Sequence, residues 1–231
     1  MNKNKEVNQT IMYLKKKKKI LFLTTSNRWI GSKEKPKSTI LAERIAHNIG
    51  EKITIIDVTK LKIYNCEGNI SGQNGNNCGV TKAVLKDIKK NPSGCHRCWG
   101  SINNKDDELW KISKELLKSD CVIFFGSVRW GQMNAYYQKL IERLSWIENR
   151  HSTLREDNIV KKIDAGIIIT GQNWNGKEVI KTQKKILDFY GFNVVKSLCW
   201  NWQYTTKEDD ESNESYIDAP NKFNREVILK I

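Results

Sequence analysis

The residues that could do chemistry collect at the ends of short apolar runs. Cys121-Val122-Ile123-Phe124-Phe125 passes directly into Gly126-Ser127-Val128-Arg129-Trp130-Gly131-Gln132-Met133. A buried strand ending in a small, polar and aromatic loop delivers backbone N–H groups and a flat side chain to the carboxyl edge of a parallel sheet, where open α/β folds bind ligands. Such an edge suits a planar ligand.

Two further loops have the same character. Thr24-Thr25-Ser26-Asn27-Arg28 follows the first apolar run and, after residues 29–37, closes on Ser38-Thr39 at a helix start. Hydroxyls and an arginine beside free helix N–H groups make an anion site, with a phosphate monoester as the natural guest. Ser38 or Thr39 acting only as a helix cap would leave Ser26 and Arg28 without a role. The third loop is Gly171-Gln172-Asn173-Trp174-Asn175-Gly176. Trp130 and Trp174 flank a ring system or form core or rim, and Gln132, Gln172 and Asn173 offer donors and acceptors to a heteroaromatic edge such as a pyrimidinedione. Together the three loops outline a flavin pocket.

The elements that must position these loops are read from periodicity. Strands are expected at residues 20–24, 53–58, 121–125, 165–170 and 193–200, and helices at 38–49, 106–118, 133–149 and 177–190. The alternation of short apolar runs with helical periodicity marks a parallel sheet covered on both faces. The expected fold is α/β, a three-layer sandwich with a five-stranded parallel sheet in the order 2-1-3-4-5. Residues 1–19 read as a basic, flexible leader, 20–205 as the domain, with an insert at about 60–104, and 206–231 as a tail carrying a loop and a short terminal helix. A long irregular insert is usually functional or metal-tied.

Four of the six cysteines fall in that insert. Cys95 and Cys98 form a C-x-x-C pair that could chelate zinc or an iron-sulfur centre with Cys66 and Cys78, or act as a redox dithiol. The spacing is looser than in zinc ribbons or ferredoxins, so free structural thiols are the leading reading and no metal is expected. Cys121 and Cys199 read as core, and His47 and His151 as plain surface or core histidines.

The chain has 231 residues, 39% of them hydrophobic, and a net charge of +14. That is enough to close one core. No apolar stretch approaches the roughly 20 residues of a bilayer span, no secretory signal is evident, and a cytoplasmic location is expected. Lys15 to Lys19 are the one dense basic run and read as a solvated leader, so no nucleic acid partner is expected. A basic adaptor binding RNA or an anionic surface is the remaining rival on charge alone.

Over residues 20–200 the chain resembles the flavodoxin-like superfamily, in its branch of NAD(P)H-dependent FMN reductases and flavodoxin-family oxidoreductases. The Thr24–Arg28 segment with Ser38-Thr39 is similar to that family's phosphate loop. Gly126–Met133 followed by Gln138-Lys139-Leu140-Ile141-Glu142-Arg143 is similar to its strand, flavin loop and helix. The loop before Ser38 is longer than usual, and Val128 followed by Arg129 replaces the usual proline. The resemblance implies FMN bound by Ser26, Arg28, Ser38, Thr39, Ser127, Val128, Arg129, Trp130, Gly131, Gln132, Met133, Gly171, Gln172, Asn173 and Trp174. It further implies NADPH or NADH as co-substrate, a small electron acceptor such as a flavin or quinone, and a homodimer. The ring does the chemistry, so no catalytic acid, base or nucleophile is expected, and the missing G-x-G-x-x-G fits a dinucleotide that comes and goes. A flavodoxin-type electron carrier and a flavoprotein with a cysteine-bound metal or iron-sulfur centre are the alternatives.

Overall fold

The computed structural model describes residues 3–171, 174–205 and 213–227. The apolar runs become strands because they are short, rich in β-branched and aromatic residues, and at the sheet centre buried on both faces. β1 (Ile20–Thr24), β2 (Ile53–Asp57), β3 (Cys121–Arg129), β5 (Asp164–Gly171) and β6 (Asn193–Gln203) pair in parallel, in the order β2-β1-β3-β5-β6. β4 (Gln132–Met133) is a short antiparallel addition to the end of β3. Without β4 the order is the expected 2-1-3-4-5, and the fold is flavodoxin-like.

Helices cover both faces. α1 (Asn4–Leu14), α2 (Lys37–His47) and α7 (Asn213–Glu226) lie on one, where Leu41, Ile45 and Phe223 pack with Phe22, Phe125, Trp200 and Trp202. α4 (Leu109–Leu116), α5 (Ala135–Ser152) and α6 (Gly176–Phe189) lie on the other, around Phe124, Tyr137, Trp146 and Ile167. The short α3 (Trp99–Asn103) belongs to the insert. Each fully buried aliphatic or aromatic side chain contributes about 1.5–3 kcal/mol.

The first residues are not a loose leader. Val7, Ile11 and Leu14 recur along one face of α1 and are buried against β6. Thr10 Oγ1 ties the helix down, donating to Ser197 O at 3.3 Å and accepting from Trp200 Nε1 at 3.0 Å. The Tyr13 hydroxyl donates to Asp164 at 2.6 Å, and Lys17, from the basic run, pairs with the same carboxylate. A three-residue stripe in an Asn- and Lys-rich segment is too thin to stand out in composition, yet it suffices once a sheet face needs cover.

α4 begins at Leu109, three residues later than periodicity suggests. Asp107 turns inward, accepting from the Leu109 N–H at 3.2 Å and pairing with the buried Arg143 of α5. The insert thereby becomes a clasp on α5. Arg143 donates to Tyr64 O at 2.7 Å and to Cys98 Sγ at 3.2 Å, and Arg97 donates to Glu156 at 2.7 Å. His96 is buried edge-on to Trp146 with ring centroids 5.2 Å apart, its Nδ1 2.7 Å from Ser113 Oγ.

Candidate functional site: a cavity at the carboxyl edge of the sheet

The loops after β1, β3 and β5 meet around one cavity of about 670 Å³. Its position follows from the strand order: β1 and β3 are neighbours whose connections leave in opposite directions, so a crevice opens between them. Ser26, Asn27, Arg28, Pro36 and Lys37 line it from the first loop, Ser127 to Trp130 from the second, and Thr170, Gly171 and Trp174 from the third.

The first loop is pinned from below. Thr25 N–H donates to Phe125 O at 2.9 Å, and the buried Ser38 hydroxyl donates to the Ser26 hydroxyl at 2.7 Å. Ser38 therefore shapes the loop and does not line the cavity. α2 has Pro36 at its N-cap and no side-chain cap, so the positive end of its dipole opens beside Arg28 and Lys37. Burial lowers the Lys37 ammonium pKa, the Arg28 charge lowers it further, and Glu34 offsets this only in part. Two cations crowded at one wall raise the free energy of the empty cavity, and an anion relieves it.

Asn134 links the first loop to the second. Its Nδ2 donates to Thr25 O at 2.7 Å, while its Oδ1 accepts from Ser127 N at 3.1 Å and from the Thr25 hydroxyl at 3.1 Å. The approach is so close that a Cβ on Gly126 would lie 3.0 Å from Asn134 Oδ1 and 2.4 Å from Met133 Cε. Beyond it, β3 and β4 form a hairpin in which Val128 faces Met133 and Arg129 faces Gln132. Trp130 at φ 49° and Gly131 at φ 69° form its turn. Two successive positive φ values are the type I′ signature, and a non-glycine residue in that conformation stores about 1–3 kcal/mol. Trp130 is 94% exposed, so packing does not repay the strain.

The third loop braces this turn. Asn175 Nδ2 donates to Gly131 O. The Trp174 ring lies so near the turn that a Cβ on Gly131 would sit 2.6 Å from its Cη2. A fourth wall comes from outside the three loops: Trp202 at the end of β6, Tyr204 beyond it and Tyr216 on α7. These rings run in series, with centroids 6.1 Å apart for Trp202 and Tyr204 and 5.7 Å for Tyr204 and Tyr216.

Of the expected residues, Ser26, Arg28, Ser127, Val128, Arg129, Trp130, Gly171 and Trp174 line the cavity. Ser38 and Met133 are buried beneath it, Thr39 is half-buried on α2, Gly131 lies buried in the hairpin turn and Gln132 is exposed on β4. Gln172 and Asn173 lie outside the described residues. Sequence reasoning missed Lys37, Asn134, Trp202, Tyr204 and Tyr216. Lys37, one residue before Ser38, is the one its motif could have supplied.

The cysteines stand apart from the cavity. All six are free; in the insert Cys78 and Cys98 are buried, and Cys66 and Cys95 half-buried. Burial pushes the Cys78 thiol up to about 11 and the Cys98 thiol above its ordinary value, which disfavours the thiolates a metal requires. Among the described residues no three His, Cys, Asp or Glu side chains are grouped to hold a metal ion, and no helix is long and apolar enough to cross a membrane.

A scan against protein-family models and a search of curated proteins return no match. Solved structures do match. RosB, solved with the bound intermediate 8-demethyl-8-formylriboflavin-5'-phosphate, is 14% identical at a TM-score of 0.58, over 90% of this chain and 73% of its own. Azoreductase AzrA is 12% identical at a TM-score of 0.50, over 90% of this chain and 98% of its own. The likeness is one of architecture, and with the strand order and the position of the cavity it assigns this chain the flavodoxin-like fold.

Proposed function

We propose that the chain binds FMN in this cavity and acts as an NAD(P)H-dependent oxidoreductase, passing electrons from a nicotinamide dinucleotide to a small acceptor such as a flavin or quinone. The observation that carries the reading is the meeting of the three loops around one cleft whose first wall holds two crowded cations and an uncapped helix start. Its size, about 670 Å³, falls within the roughly 300–1,000 Å³ of cofactor pockets.

The residues present fit the group. Arg28 and Lys37 would hold the phosphate, with Ser26 beside them. Ser127 Oγ is buried without a hydrogen-bond partner among the described residues, and such an orphan in a cavity wall calls for a ligand atom. Gly171 lies so close to Val128 that a Cβ would sit 3.1 Å from the valine Cβ; a side chain there would fill the cradle. Trp130 and Trp174 supply flat apolar surface for a ring. When bound, FMN supplies the hydride and electron chemistry. The protein's part is to fix the phosphate, orient the ring edge and leave one side open to a second substrate. RosB, which has this fold, was solved with a riboflavin phosphate derivative, and AzrA carries the name azoreductase; both support the reading.

The test is direct. Purified chain mixed with FMN at micromolar concentration takes it up, with a shifted visible spectrum and quenched flavin fluorescence, and NADPH or NADH then bleaches the flavin band. Absence of uptake ends the proposal. Uptake without bleaching by either dinucleotide turns the chain into an electron carrier.

A further inference from the structure

We propose that the same cavity holds a second subsite, walled by Trp202, Tyr204 and Tyr216 and faced by Arg129, for a planar aromatic molecule bearing a carboxylate or sulfonate. The flavin reading gives this molecule its place as second substrate; its binding rests on the cavity itself.

Charge carries the first half of the argument. Arg28, Lys37 and Arg129 all line the cavity, and among the described residues no carboxylate does. Among the described residues none of the three cations forms an ion pair. Arg28 and Lys37 act on each other and share the first wall, so one phosphate satisfies both. Arg129 stands on a different element, the β3–β4 hairpin, and is left over. An arginine offers a planar fork matched to carboxylate or sulfonate oxygens.

Position and shape carry the second half. β6 is three strands from β1 across the sheet, in the order β1-β3-β5-β6. At about 4.8 Å per strand, the Trp202 end of the cavity lies roughly 14 Å from the β1 loop that holds Arg28. The cleft is thus wider than its phosphate wall requires, and its far end is closed by aromatic rings tilted against one another. Aromatic walls favour flat aromatic guests through face and edge contacts. Thr170 and Trp202 are register partners on β5 and β6, so this wall adjoins the third loop directly.

The experiment uses full-length, FMN-loaded chain and two probes that cannot be reduced at the flavin, naphthoate and its neutral amide naphthamide, with binding followed by calorimetry and tryptophan fluorescence. Naphthoate is expected to bind about tenfold more tightly, the size of one charge-assisted contact. Arg129→Gln should erase that preference, while Tyr216→Ala should weaken both probes alike. Equal binding of the two probes, or a preference that survives in Arg129→Gln, overturns the assignment. Should the chain take up no FMN, the flavin reading falls, and the naphthoate preference with its loss in Arg129→Gln still decides the subsite.

Discussion

Arg143 and Arg28 belong to the same chain and live in opposite surroundings. Arg143, on α5, is fully buried and meets both Asp107 oxygens at 2.8 and 3.0 Å, Ser101 Oγ at 3.1 Å, Cys98 Sγ at 3.2 Å and Tyr64 O at 2.7 Å. Gly100 is glycine beside it because a Cβ would lie 2.8 Å from the guanidinium carbon. Arg28, like Arg129, lines an open cavity with no carboxylate in its lining among the described residues. The cation that holds the fold is answered from within; those proposed to hold a ligand have no carboxylate partner among the described residues. Breaking the first arrangement strands a buried charge, whereas cations crowded at one wall cost some stability until an anion relieves them.

The comparison breaks most readily at the clasp. Asp107→Asn leaves Arg143 buried without its counter-charge and should lower the unfolding free energy by about 3–5 kcal/mol in urea titration. A loss under about 1 kcal/mol would show that the clasp does not hold the insert.

Acid should open the same region in two windows. Burial, then the neighbouring Arg143 charge, pushes His96 down from 6.5 to about 4. Between those values the unfolded chain binds a proton that the folded chain refuses, so stability should fall with falling pH by up to about 1.4 kcal/mol per unit. Burial raises the Asp107 carboxyl, but hydrogen bonds from Arg143 and Ser101 outweigh it and hold it below 3.8; its contribution, present above 3.8, is lost on further acidification. A flat stability profile from pH 6.5 to 4 would remove His96 from this account, and His96→Phe should flatten the first window alone.

The smallest effect lies at the cavity. Arg28→Ala should change unfolding by less than about 0.5 kcal/mol, because nothing in the fold depends on that guanidinium. It should weaken FMN about tenfold, as expected for one charge-assisted phosphate contact, and leave riboflavin, which lacks the phosphate, unaffected. Equal losses for both flavins would place Arg28 away from the phosphate.

Much of this was legible before folding. Five apolar runs spaced by helical periodicity specify a parallel sheet, and the loops after the first, third and fourth runs carry the serines, arginines, glycines and tryptophans that now line one cavity. What escaped was set by partners distant in sequence. Asn134 reads as part of the expected helix 133–149, whereas the helix starts at Ala135 and the approach of Thr25, 109 positions away, makes Asn134 a brace between loops. Trp130 reads as a ring flank, core or rim, and only strand pairing through Arg129 and Gln132 reveals the positive-φ hairpin turn from which it lines the cavity.

The sequence by itself determined the strands and their alternation with helices, since periodicity is a local property that survives in one dimension, and the flavodoxin-like order that fits them implied which loops share an edge. The tertiary structure alone decided which charges are answered and which are not. Asp107 reaches Arg143 across 36 positions while no acidic group among the described residues reaches the cavity lining, and pairing of that kind depends on distances in space that spacing along the chain does not encode.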